Sequence, residues 1–204
     1  MTPNIVLQCS TGWAYGKQLA VSRPTWEALA KTNEMRYSAH TGDWKDTLRG
    51  PHWLKIWWLL KQFEELPDGA LVVYADVDTA VLNTNANVYS VPVTHVASRI
   101  HYSASWKVNS GVMFIRLSRV TREFFKQVWD AGPVPGRGAK HDERRMQVEL
   151  QTRPWSFDRL PPEWADWYCS KKPLPNAIVK IWHGALPEAS IPALMRSEIE
   201  RSKE

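Results

Sequence analysis

Residues 71–75, Leu-Val-Val-Tyr-Ala, are a continuous apolar run with β-branched members, entered through Pro67-Asp68-Gly69 and followed at once by Asp76 and Asp78. An unbroken run of this length describes a strand covered on both faces, the kind that parallel sheets contain. The two carboxylates then fall at its carboxyl end. In open α/β sheets the ligand crevice lies outside the carboxyl ends of the strands, and residues two apart on extended backbone point the same way. Two anions so close require a cation or strong donors between them, which makes this the expected seat of an oxygen-ligated metal.

Extended and helical patterns alternate on both sides of this strand. Residues 4–9 read as a strand, 17–31 as a helix bent or restarted at Pro24, and 35–39 as a second strand, a β-α-β opening. Residues 52–66 carry a helical pattern with Trp53, Ile56, Trp57, Leu60 and Phe63 on one face, and Pro67 stops it. A short strand near 94–98, a second buried strand over 112–117 and a helix over 118–131 follow, with Ser118 as its N-cap. Residues 132–140, Gly-Pro-Val-Pro-Gly-Arg-Gly-Ala-Lys, suit neither helix nor strand and make a natural flap over a site. A helix over 141–151, a last strand over 177–182 and a charged peripheral helix in the tail, 187–204, complete the chain. With no repeat and no linker, the 204 residues are expected to form one α/β domain, three layers around a mainly parallel sheet, with its core at 4–185.

Composition narrows the function. Twenty-six basic against twenty-one acidic residues give +5, too mild to demand a nucleic-acid partner but suited to a phosphorylated small molecule. With only Cys9 and Cys169, neither a disulfide framework nor a zinc cluster is indicated, and a reducing compartment is the simple reading. No charged leader precedes the first strand, and no apolar run approaches the roughly eighteen residues of a spanning helix. A soluble, cytoplasmic protein of bacterial or viral origin is therefore expected. Twelve tryptophans exceed what such a core requires, so some are expected on an open surface, where aromatic faces stack on sugars or bases; core filling is the plainer alternative.

Several short segments each have an ordinary explanation and a functional one. Asn109-Ser110-Gly111 precedes a buried strand and reads as a turn in which Gly111 supplies an unusual dihedral, or as part of a pocket. Asp142 and Glu143 open a helix, where the dipole favours acids in any case. His183 is a strand-edge histidine or an imidazole ligand that completes the acidic pair.

Taken in order, these segments resemble the nucleotide-sugar glycosyltransferases of the GT-A fold. The closest likeness is to the retaining families of glycogenin, the lipopolysaccharide galactosyltransferases and the fungal and plant galactosyl- and xylosyltransferases. His52-Trp53-Leu54-Lys55-Ile56-Trp57 followed by residues 71–83 is similar to the basic helix that leads into the acidic strand of that family. Asn109-Ser110-Gly111-Val112-Met113, His141-Asp142-Glu143 and His183-Gly184 resemble its later segments.

The resemblance implies that Asp76, Asp78 and His183 hold Mn²⁺, or Mg²⁺, against the phosphates of a nucleotide-diphosphate sugar, by default a uridine diphosphate sugar. It places Cys9, Ser10, Thr11 and Gly12 around the nucleoside, Asp76 and Val77 beside the donor, and Lys55 near its phosphates and sugar. Asn109, Ser110, Gly111 and Gly184 would shape the donor pocket. Asp142 would bind sugar hydroxyls and Glu143 would lie near the anomeric carbon, where the family usually has glutamine. The lysine that usually follows the closing His-Gly is absent, which leaves Lys180 or the 136–138 loop for that phosphate. Hard oxygens suit Mn²⁺ or Mg²⁺, and one imidazole favours Mn²⁺. The implied reaction is retaining transfer to a hydroxyl acceptor, a glycan or other hydroxyl compound. A hydroxymethylated base of DNA is an alternative acceptor, favoured by Arg137, Lys140, Arg144 and Arg145. A phosphatase of the haloacid dehalogenase type also sets two aspartates after an apolar strand, but wants threonine or valine where Ala80 stands. A non-catalytic sugar-binding module is the remaining alternative.

Overall fold

The structure is a computed structural model and describes residues 3–46, 49–100, 108–135, 142–151, 157–167, 174–182 and 187–203. Its central sheet contains β1 (Ile5–Ser10), β2 (Arg36–Thr41), β3 (Leu71–Ala75), β5 (Val96–Ile100), β6 (Val108–Arg116) and β7 (Asp158–Arg159), in the order β2-β1-β3-β6-β5-β7. A second, small sheet has the order β4 (Thr79–Val81), β9 (Val179–Ile181), β8 (Asp166–Trp167). β1 pairs in parallel with β2 and β3, whereas β6 is antiparallel to both β3 and β5, and β7 is parallel to β5. Among the described strands of the central sheet only β6 therefore runs against the others, and the sheet is mainly parallel as expected.

Both faces of the sheet are covered, as its unbroken apolar strands require. Ile5, Leu7, Val72, Tyr74, Met113 and Ile115 point to one side. There they meet Ile56, Leu59 and Phe63 of α2 (Leu54–Glu65), Phe124 and Val128 of α3 (Arg119–Ala131), and Met146 of α4 (Asp142–Gln151). The alternate residues Val6, Leu71, Val73, Val112 and Phe114 meet Trp26 and Leu29 of α1 (Gly12–Thr32) and the small sheet on the other. This is the three-layer arrangement the alternating pattern predicts. The tail helix α5 (Ile191–Arg201) buries Ile191 and Met195 alongside Val21 and Trp182, so it is docked rather than merely peripheral.

Some local expectations shift for physical reasons. α1 begins at Gly12 rather than near residue 17 and passes through Pro24 without breaking. Pro24 and Ala20 are both exposed, so the carbonyl that loses its partner faces water. α2 buries Leu54, Lys55, Ile56, Leu59, Gln62 and Phe63, a wider arc than one amphipathic stripe, because an aromatic group including Trp44 and Trp129 packs on its rim. Trp26, Trp53, Trp164 and Trp182 fill the core, Trp44, Trp57, Trp58, Trp129 and Trp167 are half-buried, and Trp13 alone among the described tryptophans is exposed.

Ser118 caps α3 as anticipated: Thr121 N–H donates to Ser118 Oγ at 3.3 Å, and Ser118 N–H donates to Thr121 Oγ1 at 2.8 Å. Ser118→Ala removes one arm of this box and should cost about 1 kcal/mol, lowering the melting temperature by about 2–4 °C in a thermal denaturation scan.

Candidate active site

β3 ends at Ala75, and the two acids lie in the turn that follows rather than on extended backbone. Thr79 closes that turn, its N–H donating to the Asp76 carbonyl at 3.2 Å and its hydroxyl to the same oxygen at 2.6 Å. The shared direction inferred from strand periodicity is thus replaced by a turn that sends the chain into β4. Asp76 N–H donates to the Gly111 carbonyl at 2.7 Å, and Trp182 N–H donates to the Asp78 carbonyl at 2.8 Å. The acidic turn is therefore pinned between the start of β6 and the end of β9.

Because β6 runs backwards, its first residues, not its last, reach the carboxyl end of β3. Gly111 is needed there for space: a Cβ would stand 3.1 Å from Asn109 Oδ1 and 3.6 Å from Asp76 Oδ2. The unusual dihedral expected of it is not the reason, since the positive-φ glycines described are Gly12, Gly69 and Gly132. Asn109 Oδ1 instead accepts from Gly111 N–H at 3.2 Å, closing the segment on itself.

Lys55 comes from the buried side of α2 and gathers the acids. Its Nζ lies 3.0 Å from Asp76 Oδ2, 2.8 Å from Ser110 Oγ and 3.8 Å from Asp142 Oδ2. Ser110 passes the link on, donating to Glu143 Oε1 from its N–H at 2.7 Å and from its hydroxyl at 3.2 Å. Burial acts to lower the Lys55 pKa, but Asp142, Asp76 and Glu143 outweigh it and hold the ammonium well above its usual range. Burial raises Asp76 to about 6; Lys55 opposes the shift and Asp78 adds to it. Glu143 is raised too, by burial first and then by Asp142.

Asp142 opens α4 with its side chain 2% exposed, and its Oδ2 has no hydrogen-bond partner in the structure. A buried, charged oxygen without a donor is costly unless something else supplies one. Asp76 is about one-third exposed, with a side-chain value of 32%, and Asp78 is half-buried.

A cleft opens over this centre. Cys9, Ser10 and Thr11 at the end of β1 form one wall with Tyr15 of α1; Pro51, His52, Leu54 and Lys55 form another; Tyr74, Asp76, Val77 and Asp78 make the floor. Gly12 opens α1 at a φ of 73° just beyond the first wall. Cys9, Ser10, Thr11, Lys55, Asp76, Val77 and Asp78 thus line the cleft, Ser110, Asp142 and Glu143 gather behind it around Lys55, Asn109 and Gly111 stand beside Asp76 at the start of β6, and Gly12 borders them. Tyr15 and Tyr74 were missed. Tyr74 is findable as the strand residue two before Asp76, whereas Tyr15 carries no signal beyond lying near Gly12. His183, Gly184, His141 and the loop residues 136–140, including Arg137 and Lys140, lie outside the described residues. Lys180, considered for a donor phosphate, is engaged elsewhere, 2.6 Å from Glu198 Oε1.

Among the described residues no group of three His, Cys, Asp or Glu side chains is placed to hold a metal ion. The donor chemistry nevertheless fits a hard divalent cation. Each oxygen of Asp76 accepts one inward hydrogen bond, from Tyr74 Oη at 2.9 Å and from Lys55, which leaves lone pairs for the cleft. Among the described residues Asp76, Asp142 and Glu143 also outnumber Lys55.

No family model and no curated protein matches the sequence. Solved structures do match. A glycosyltransferase involved in the glycosylation of the major capsid of PBCV-1 superposes with a TM-score of 0.71 at 14% identity, over 95% of this chain and 100% of that one. The galactosyltransferase LgtC, in complex with donor and acceptor sugar analogs, gives 0.56 at 13% identity over 97% and 95%. A mutant of Drosophila galactosyltransferase 7 in complex with manganese, UDP-Gal and xylobiose gives 0.52 at 16% identity over 89% and 71%. At such identities the likeness speaks for architecture, and the architecture is the GT-A fold of glycosyltransferases.

Proposed function

We propose that this chain is a metal-dependent glycosyltransferase that moves a sugar from a nucleotide-diphosphate donor, by default a uridine diphosphate sugar, to a hydroxyl acceptor such as a glycan. The observation that carries the proposal is the convergence of Asp76, Asp142 and Glu143, from three separate segments, on the buried Lys55 ammonium beneath a cleft at the strand ends. The haloacid dehalogenase reading of the acid pair falls with the GT-A architecture.

Each residue then has a task set by its surroundings. Asp76 and Asp78, with His183 as the expected third ligand, would hold Mn²⁺ or Mg²⁺, which neutralises the charge that develops on the departing diphosphate. The walls formed by Cys9, Ser10, Thr11 and Tyr15 border the nucleoside. Asp142 Oδ2, ion-paired with Lys55 but accepting no hydrogen bond, accepts from donor-sugar hydroxyls, which supply that bond. Glu143, immobilised by the Ser110 N–H and hydroxyl, presents its charge to the sugar as it becomes cationic. Retention, carried over from the resemblance, places the acceptor hydroxyl on the face from which the diphosphate leaves. Lys55 acts chiefly from below, because it already donates to Asp76 and Ser110 and is ion-paired with Asp142 at 3.8 Å.

Mn²⁺ together with uridine diphosphate should raise the melting temperature by about 5–10 °C at a ligand concentration near 100 times Kd. Asp78→Asn should abolish that shift while the unliganded protein melts normally; an undiminished shift would remove Asp78 from the site. Asp142→Asn should lower kcat/KM for the sugar donor by about a hundredfold with nucleotide affinity unchanged, measured by steady-state kinetics beside calorimetric titration. The raised pKa of Asp76 fixes the direction of a pH effect. A proton on that carboxyl competes with the cation, so Mn²⁺ affinity should be flat above pH of about 6 and fall about tenfold per unit below it. An affinity constant down to pH of about 4, the usual carboxylate range, would contradict this.

A further inference from the structure

Lys55 alone does not fix the plane of the Asp76 carboxylate. One anchor on Oδ2 leaves the group free to turn about its own axis, and the Lys55 ammonium is shared with Ser110 and Asp142. The second anchor is the Tyr74 hydroxyl, 2.9 Å from Oδ1. Tyr74 is 1% exposed, and Lys55 Nζ lies 5.5 Å from its ring centroid, so the phenol is held firmly in place. Behind it, Cys9 Sγ stands 3.2 Å from the Tyr74 hydroxyl oxygen.

The direction of this chain follows from the chemistry of its end. An ionised carboxylate only accepts, so the phenol hydrogen points at Asp76, and the thiol hydrogen must then point at the phenol oxygen. Burial keeps both donors protonated, raising Cys9 to about 12 and Tyr74 well above its ordinary value. The result is a fixed sequence, S–H to O–H to carboxylate, that runs from the core out to the cleft. With each oxygen held once from inside, the remaining lone pairs are oriented before any cation arrives. Hydrogen bonds of this kind behind a metal ligand are worth about 10–100-fold in metal affinity.

We propose that Tyr74, backed by Cys9, is a positioning residue that orients the Asp76 carboxylate for a divalent cation in the cleft. The inference rests on the reading of Asp76 as a cation ligand. Neither Tyr74 nor Cys9 touches the cation.

The test titrates Mn²⁺ alone, followed by the loss of the free-ion paramagnetic resonance signal, alongside thermal melting of the metal-free protein. Tyr74→Phe keeps the ring and removes only the donor. It should weaken Mn²⁺ binding about 10–100-fold while the metal-free melting temperature falls by no more than a few degrees. Cys9→Ala, which spares the phenol, should weaken Mn²⁺ binding by a smaller factor and carries the same test should Tyr74→Phe fail to fold. A merely structural hydroxyl would lower the melting temperature and leave the Mn²⁺ affinity alone, and that result overturns the proposal. If the unaltered chain takes up Mn²⁺ and Tyr74→Phe does so equally well, only this inference fails. If the unaltered chain takes up none, the cation reading of Asp76 fails with it.

Discussion

The buried ammonium of Lys55 is the interaction on which the site depends. A charged lysine 5% exposed is tolerable only when paired, and here three elements of the chain supply the partners: the turn after β3, the start of β6 and the first turn of α4. The same contact works in both directions. The carboxylates keep the lysine charged, and the lysine lets carboxylates from distant segments approach one another closely. Among the described residues, what it leaves over is negative charge, since Lys55 is outnumbered by Asp76, Asp142 and Glu143. On the proposed reading that surplus, lying behind the cleft, gives it a reason to take up a cation.

Topology explains why these segments meet. In a purely parallel sheet the neighbour of β3 would bring its end to the cleft; the reversed β6 brings its beginning, Asn109-Ser110-Gly111, instead. The pairing of Ala75 with Val112 then sets Gly111 beside Asp76. On the other side β4 leaves the acidic turn for the small sheet, and β9 returns to hold the Asp78 carbonyl through Trp182. The crevice thus lies where the strand order changes sense, the place where open α/β sheets bind ligands.

Much of this was legible in the sequence, and the boundary is physical. The apolar run 71–75, the helices over 52–66 and 118–131 and the alternation of strand and helix are local patterns, and they sufficed for the layered architecture. The positions of Asn109, Asp142 and Glu143 came through resemblance, because periodicity does not reveal which remote segments share a cleft. Several features depended on contacts between elements and were not legible. The turn at Asp76–Asp78 is made by Thr79, and the tightness around Gly111 is made by the Asn109 side chain, which folds back onto the Gly111 N–H. The inward commitment of Lys55 is of the same kind, since a lysine on a helix reads as a solvated or ligand-facing charge until the helix is seen to bury it. Tyr74 read as one more apolar strand residue, and only its hydroxyl distinguishes it.

The charge of the whole chain and that of the described side chains gathered on Lys55 have opposite signs. A net +5 is spread over the molecule, while the described centre beneath the cleft has more acids than bases, so overall basicity says little about how the site receives a polyanion. On the proposed reading this has a kinetic consequence. A nucleotide diphosphate approaching Asp76 and Asp78 unaccompanied meets repulsion in a partly buried site, where screening by salt is weak. Cation and donor therefore favour each other's binding, because each neutralises what the other opposes, and linkage makes that coupling equal in both directions. The inward hydrogen bonds to Asp76 and Glu143 give the coupling its geometry, since carboxylates already fixed from behind need not reorganise when the counter-charge arrives.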